Sequence, residues 1–454
     1  MALWLLLAAV GPSPAATPLT AHDCIEAALQ HSFLLSENRH AVAADKADIT
    51  KKRGTTLPYL SGLAQGYELW GNPVSPYTIV GQPEPESGTF ASRSGRQLII
   101  PKANFVPIGI QQIGVLYPLY YQGSILGLND PPAVASAVAT MNQEQLTTLI
   151  SEQEVIFNVL TEYIYGISYR DRVAVQERIV DLDRKQLEIV QYQVALGLML
   201  PYQAETARAQ LKAARQILDS SRANVQAALV QLSTLMGTKD QTPELAQSKL
   251  PLIQLPPMGP LLDKVMTVHP ALRVQQANVE IAHQQLLVDR AVRLPTVSLN
   301  SALSTGQDFE YFNGSTTKTR PVQFLSYLNV EIPLYDFGQR HAAINESEEK
   351  FLAAQDGVHA EEITLRESMK GAYNDILTEE EALATEQSTY VKDDQALDLS
   401  QAQRAEGQID ELALVVAQLK VLNDRVMLVA DQMAELLKYA ELQNLSGGTW
   451  RWLQ

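Results

Sequence analysis

The side chains of this sequence that could carry chemistry do not gather into a reactive site. His22, His31 and His40 stand nine residues apart. On a helix of 3.6 residues per turn, that spacing throws successive rings onto opposite faces, so the three cannot share one metal ion. The single cysteine, Cys24, permits no internal disulfide and no cysteine-rich metal site. A lipid-modified cysteine needs small, uncharged residues before it, and His22 and Asp23 stand there instead. Cys24 therefore reads as a small apolar residue packed on a first helix. No phosphate-cradling loop, nucleophile elbow or metal-binding helix signature occurs, so no catalysis, cofactor or metal is expected. The net charge of −16, with no basic stripe and interleaved aromatics, argues against nucleic acid as a partner. What the chain offers is placement rather than reaction, and the elements doing the placing come in duplicate.

Tyr117-Pro118-Leu119-Tyr120-Tyr121-Gln122-Gly123 recurs as Ile332-Pro333-Leu334-Tyr335-Asp336-Phe337-Gly338, 215 residues on. Leu57-Pro58 recurs as Leu294-Pro295 at an offset of 237, and Ala209-Gln210-Leu211-Lys212 as Ala417-Gln418-Leu419-Lys420 at 208. His31-Ser32-Phe33-Leu34 has a loose echo in His269-Pro270-Ala271-Leu272. Four pairs in one order describe a unit of about 210 residues written twice, far longer than a solenoid repeat. The expected divisions are a signal peptide over residues 1–16, a first repeat over 17–250 and a second over 251–454. Between Leu-Pro and Pro-Leu-Tyr the first repeat is 22 residues longer. The excess falls in Gly71–Arg96, rich in Pro, Gly and Ser, which reads as a long exposed loop facing the cell exterior.

The chain opens with a short apolar run followed by Gly11, Pro12, Ser13, Pro14 and Ala15, the pattern of a secretory signal without its usual basic start. No other run approaches 18 apolar residues, so a membrane could be spanned only by strands. In each repeat a helix is expected first, over 21–53 with Thr20 as N-cap, and over about 260–293. Two strands follow each helix, over 58–70 and 107–121, then from 296 and from 324, with period-two alternation. Tyr59, Tyr67, Trp70, Tyr117, Tyr120, Tyr121, Tyr327 and Tyr335 lie in or near these strands. They fit either ordinary β-propensity or an aromatic girdle at a membrane interface.

A long helical arm then runs over about 132–196 and 339–405, breaks, and resumes over 201–236 and 409–444. Ala204, Ala207, Leu211, Ala214, Leu218, Ser221, Val225, Ala228, Leu232 and Leu235 keep three-four spacing, as do Leu412, Val415, Leu419, Leu422, Val426, Val429, Met433 and Leu436. Such seams must be covered by partner helices. Gly197 and Gly407 sit in the two breaks and give each repeat an antiparallel helical hairpin with a glycine tip; Pro201 suits a first helical turn.

In this order of signal, helix, two strands and long hairpin, written twice, the chain resembles the TolC-like family of outer-membrane efflux channels. Asp23-Cys24-Ile25-Glu26-Ala27-Ala28-Leu29 resembles that family's first helix, and the Leu-Pro strand starts, the Pro-Leu-Tyr strand ends and the glycine tips match as well. The resemblance implies an α+β membrane protein whose four strands per chain join a trimeric 12-stranded barrel in outer-membrane lipid, above a long coiled-coil α-helical barrel in the periplasm. It implies a homotrimer that works with a periplasmic adaptor and an inner-membrane pump, in tripartite efflux or type I secretion. Leu196, Gly197, Leu198, Glu406, Gly407 and Gln408 would meet the adaptor. Relatives often carry acids six and nine residues beyond each tip glycine, lining the pore entrance. Here those places hold Gln203, Thr206, Ala413 and Val416. Asp410 and Glu411 lie nearby, and aligning the two Ala-Gln-Leu-Lys copies sets Glu411 opposite Gln203 as a substitute. The rival from another class, a soluble periplasmic coiled-coil scaffold, accounts for the heptads but for neither the signal nor the strand pairs.

Overall fold

The computed structural model describes residues 18–70, 79–80, 89–91, 96–99, 105–238, 243–246, 255–306, 308–312, 315–319 and 322–448. The expected signal peptide lies outside these residues. Helices α1 (Ala21–His31) and α2 (Phe33–Gly54) are followed by strands β1 (Tyr59–Trp70), β2 (Ile79–Val80), β3 (Thr89–Ala91), β4 (Arg96–Ile99), β5 (Phe105–Tyr121) and β6 (Ser124–Ile125). The first hairpin is α3 (Pro132–Ala195) and α4 (Pro201–Leu235). The second repeat contributes α5 (Met258–Val268), α6 (Pro270–Ala291), β7 (Thr296–Gly306), β8 (Asp308–Phe312), β9 (Ser315–Thr319), β10 (Val322–Glu331), α7 (Gln339–Ala405) and α8 (Glu411–Leu445).

Two of the expected helices are split. Thr20 does cap the first, in a reciprocal capping box with Asp23, but the chain breaks at Ser32 with extended backbone. The second breaks at His269 in the same way. These breaks are 237 residues apart, the offset of the Leu-Pro pair, so the true counterpart of Leu272 is Leu35 rather than Leu34. Both are buried. The same offset sets Cys24 against Leu261 and Ala28 against Val265, all buried. Cys24 is fully enclosed among Ala21, Ala28, Val159, Leu160, Tyr163 and neighbours, and burial pushes its thiol up to about 12. A buried thiol that stays protonated is a poor nucleophile. Maleimide is therefore expected to leave Cys24 unmodified in the folded protein and to label it after denaturation; rapid labelling of the folded chain would contradict this packing.

The residues fall into two units, each drawing matching parts from both repeats. One holds residues up to Ala43, Asn142–Ala277 and the chain from Gln355 on. Its largest cluster is built on Tyr163, Ile164, Val159, Leu160, Leu35 and Leu232. A strap at Glu244–Ala246 is laced to Leu19 by two backbone hydrogen bonds of 2.8 and 2.9 Å, and Arg170 holds the Leu245 carbonyl at 2.9 Å. A second cluster repeats the theme with Leu261, Val265, Leu272, Met369, Ile376, Tyr439 and Leu442.

The first heptad seam is buried as expected, at Ala204, Ala207, Leu211, Ala214, Leu218, Ser221, Ala228 and Leu232. The second behaves differently. Leu419, Leu422 and Val426 pack on a cluster of Ile179, Val180, Leu211, Ala214 and Leu218 from α3 and α4. A further stripe, Val421, Leu428 and Leu442, is buried on α8. These last three sit 210 residues beyond Leu211, Leu218 and Leu232, the offset of the tip glycines and of both helix boundaries. The structural repeat is therefore 210 in the hairpins, and the Ala-Gln-Leu-Lys pair at 208 is two residues out of step. Two residues turn a helix by about 200°, so that motif marks a different face in each copy.

The other unit, Ala44–Met141 with Asn278–Ala354, carries an antiparallel sheet in the order β1-β5-β7-β10, with β6 against the end of β5. In the expected loop Gly71–Arg96, β2 and β3 both pair with β4, which begins at Arg96; the rest of that stretch lies outside the described residues. β8 and β9 form a separate ribbon.

Candidate functional site

The two hairpin tips have one backbone design. Gly197 takes φ +73 and Gly407 φ +76, the left-handed region that favours glycine. Gly197 donates to the Val194 carbonyl at 3.0 Å and Leu198 to that of Gln193 at 2.8 Å; Gly407 donates to Arg404 at 3.0 Å and Gln408 to Gln403 at 2.8 Å. Each is a Schellman motif, which satisfies the last carbonyls of the incoming helix.

The outgoing helices start on complementary halves of a capping box. Leu200 has no side-chain acceptor, so the Gln203 amide oxygen reaches back to its N–H at 2.9 Å. In the second hairpin Asp410 accepts from the Ala413 N–H at 2.9 Å. Gln203 and Ala413 are thus structural counterparts, and Glu411 corresponds to Pro201, not to Gln203. Thr206 bonds back to the Tyr202 carbonyl at 3.0 Å. Val416 is exposed. Glu411 is exposed, with the Arg404 guanidinium at 3.9 Å.

The tips lie side by side. Leu412, five residues past Gly407, packs against Val190, Ala204 and Ala207, close to Val194 and Met199. Their chemistry differs. The first exposes Leu196, Leu198, Leu200, Tyr192 and Tyr202. The second exposes Glu406, whose carboxylate takes the Gln408 amide at 2.6 Å, together with Asp410 and Glu411. Tyr192, Leu200 and Tyr202 were not singled out from sequence; the available signal was that large apolar residues flank the glycine out of seam phase.

Sequence reasoning also missed a polar lock between α7 and α8. Lys420 Nζ lies 2.9 Å from an oxygen of the buried Asp393, and Asp424 lies beside Asp393 with its Oδ2 buried. Burial, then Asp393, pushes the Asp424 carboxyl up to about 6. Asp393 is held below the usual range by Lys420 and then Asp424. The folded state thus binds the Asp424 proton more tightly than the unfolded chain, whose carboxyl titrates near about 3.9. That stabilising contribution is full below the unfolded value and lost as pH rises through about 6. Asp424→Asn removes the second charge. Its melting temperature is expected to exceed the parent's above pH 6 and to converge with it in acid. Parallel curves at both extremes would contradict the tightly held proton.

The sheet has two chemically distinct faces. Register places Leu60, Ile113, Val115, Leu299, Leu303, Phe324, Leu328 and Val330 on one side. Ser61, Gln112, Ser298, Asn300, Ser304, Gln323 and Asn329 share the other, interspersed there with Leu63, Leu116, Leu325 and Tyr327. Two hydroxyls on the apolar side, Ser301 and Ser326, satisfy each other at 2.8 Å. Among the described residues, no helix is long and apolar enough to cross a membrane, and no group of His, Cys, Asp and Glu could hold a metal ion.

An antiparallel sheet and a pair of coiled-coil hairpins are the elements of the TolC-like outer-membrane channel fold. Residues 261–448 match the family model described as outer membrane efflux protein. The whole chain has the fold of solved channels. CusC superposes with a TM-score of 0.73 at 15% identity, over 95% of this chain and 93% of its own. The outer membrane protein VceC from Vibrio cholerae gives 0.70 at 15%, over 94% and 96%. The CmeC outer membrane channel of Campylobacter jejuni gives 0.70 at 14%, over 96% and 87%. No curated protein matches the sequence significantly.

Proposed function

We propose that this protein is the outer-membrane channel of a tripartite efflux or secretion system, acting as a homotrimer. The carrying observation is the sheet: four antiparallel strands with one mostly apolar face and one face richer in Ser, Asn and Gln. Lipid tolerates no open strand edge, and four strands are too few to close a barrel. Three copies supply twelve strands, the apolar face meeting lipid and the polar face lining a lumen. A soluble scaffold has no use for such a face.

The hairpin tips are the docking end for a periplasmic adaptor, itself coupled to an inner-membrane pump. Leu196, Gly197 and Leu198 present an apolar knob, and Glu406, Gly407 and Gln408 a polar one beside it. At the entrance, Gln203 and Ala413 are engaged in helix capping and Thr206 bonds its own helix. Glu411 remains as the exposed carboxylate that three chains would bring to the aperture, where like charges reinforce a preference for cations. Glu411→Gln is expected to lower cation preference in single-channel recordings with the trimer intact; unchanged selectivity would return Glu411 to a solvated first-turn acid. The proposal as a whole is tested by native mass measurement of the detergent-extracted protein. Three chains per particle are expected, and a single chain of about 50.0 kDa would overturn it.

A further inference from the structure

The internal seam between the two repeats is a template for the seam between two copies of the chain. Two offsets relate the repeats within the sheet: 237 carries β1 onto β7, and 215 carries β5 onto β10. They reproduce the pairing within each repeat. Tyr59 pairs Leu116 in the first, and the offsets convert this to Thr296 and Glu331, which are paired in the second. The strand-end turns obey the offset too, since Gln122 and Gly123 have φ 49 and 85 while Phe337 and Gly338 have φ 54 and 89.

Between the repeats, β5 pairs β7 with Val115 opposite Ser301, Leu116 opposite Asn300 and Tyr117 opposite Leu299; an irregularity after Pro118 then sets Tyr120 opposite Val297. Among the described residues, β1 and β10 have a sheet partner on one side only. The bare β1 edge and the segment just past β10 carry uncovered side chains. Tyr335 is 76% exposed and Leu60 68%, whereas their internal counterparts Tyr120 and Val297 are half-buried.

We infer that β10 pairs β1 of a second copy in the register of the internal seam, with Val330 opposite Ala64, Glu331 opposite Leu63, Ile332 opposite Gly62 and Tyr335 opposite Leu60 of the neighbour. The inference rests on the trimeric reading and adds the register, which that reading leaves open. Side-chain volume agrees. On the apolar face this register sets the large Leu328, Val330 and Ile332 against Gly66, Ala64 and Gly62. Open space surrounds the position where a Cβ of Gly62 would stand, so an incoming isoleucine meets nothing of its own chain there. A shift of one residue would turn the apolar face of the neighbour inward. A shift of two would move each partner by about 6.8 Å along the strand.

Paired cysteines read the register directly, because a disulfide fails once the Cα atoms stand more than about 7 Å apart. The native Cys24 is enclosed and stays in place. In the membrane-assembled full chain, Val330→Cys with Ala64→Cys is expected to give covalent multimers on a non-reducing gel. Val330→Cys with Gly62→Cys or Gly66→Cys is expected to give far fewer. Glu331→Cys with Leu63→Cys, on the opposite face, is a second in-register pair should the first assemble poorly. Native mass of the same samples separates the two failures. Trimers that cross-link best at Gly62 or Gly66 overturn the register alone. Absence of trimers from the parent protein overturns the trimeric reading and this register with it.

Discussion

Arginine in place of Leu328 is expected to strip the protein from the outer membrane, while arginine at Asn329, one residue on, leaves it there. Leu328 pairs Leu299 and shares a face with Phe324, Val330 and Leu303. Asn329 pairs Ser298 on the opposite face. An arginine on the lipid side of a barrel costs about 2–4 kcal/mol near the bilayer midplane and less toward the interfaces. A trimer incurs that cost three times, and native stabilities are of order 5–15 kcal/mol. On the lumenal side the guanidinium stays in water. The measurement is the yield of trimer extracted from outer-membrane fractions. Equal yields from the two variants would refute the assignment of the faces.

A second large effect is expected at the first tip. Valine at Gly197 must adopt φ +73, which costs an L-residue about 1–2 kcal/mol and a β-branched one more. The Schellman turn that orients Leu196 and Leu198 is then lost. Nothing lies within 4 Å of the Cβ position, so the fault stays local and the trimer should still form. Gly197→Val is expected to lose co-purification of the periplasmic adaptor, and export with it. Gly197→Asn is expected to retain much of both, since asparagine visits the left-handed region routinely. An intact Gly197→Val trimer that still carries its adaptor would reduce the tip to a turn.

Both predictions rest on features legible in the sequence for a physical reason. Gly197 and Gly407 are the residues whose backbone freedom a tight helical turn requires, so they mark the tips without ambiguity. The four strands of the main sheet announced themselves by alternation, with starts within two residues, whereas β6 and the β8–β9 ribbon did not. Other features were harder to read. The breaks at Ser32 and His269 interrupt apolar patterns that continue through them. The signal at His269 was the following Pro270, which biases its predecessor away from helix; Ser32 has no such neighbour. The seam on α8 was found, but α8 carries two apolar stripes, one toward the first repeat and one at the positions matching the buried seam of α4. A heptad count picks one and cannot name its partner. The four-residue match at Ala209 and Ala417 misled because it follows sequence chance, whereas the glycine turns and helix ends are fixed by geometry. The lock joins Asp393 on α7 to Lys420 and Asp424 on α8, 27 residues or more along the sequence, and such common surface residue types announce nothing until the helices are side by side.

The most direct measurement is current across a planar lipid bilayer containing the purified, detergent-extracted protein. Insertion of trimers is expected to produce unitary current steps of uniform size, with the Leu328→Arg protein giving none because it does not assemble. A bilayer that stays electrically silent while intact trimers are shown to be inserted would contradict the channel.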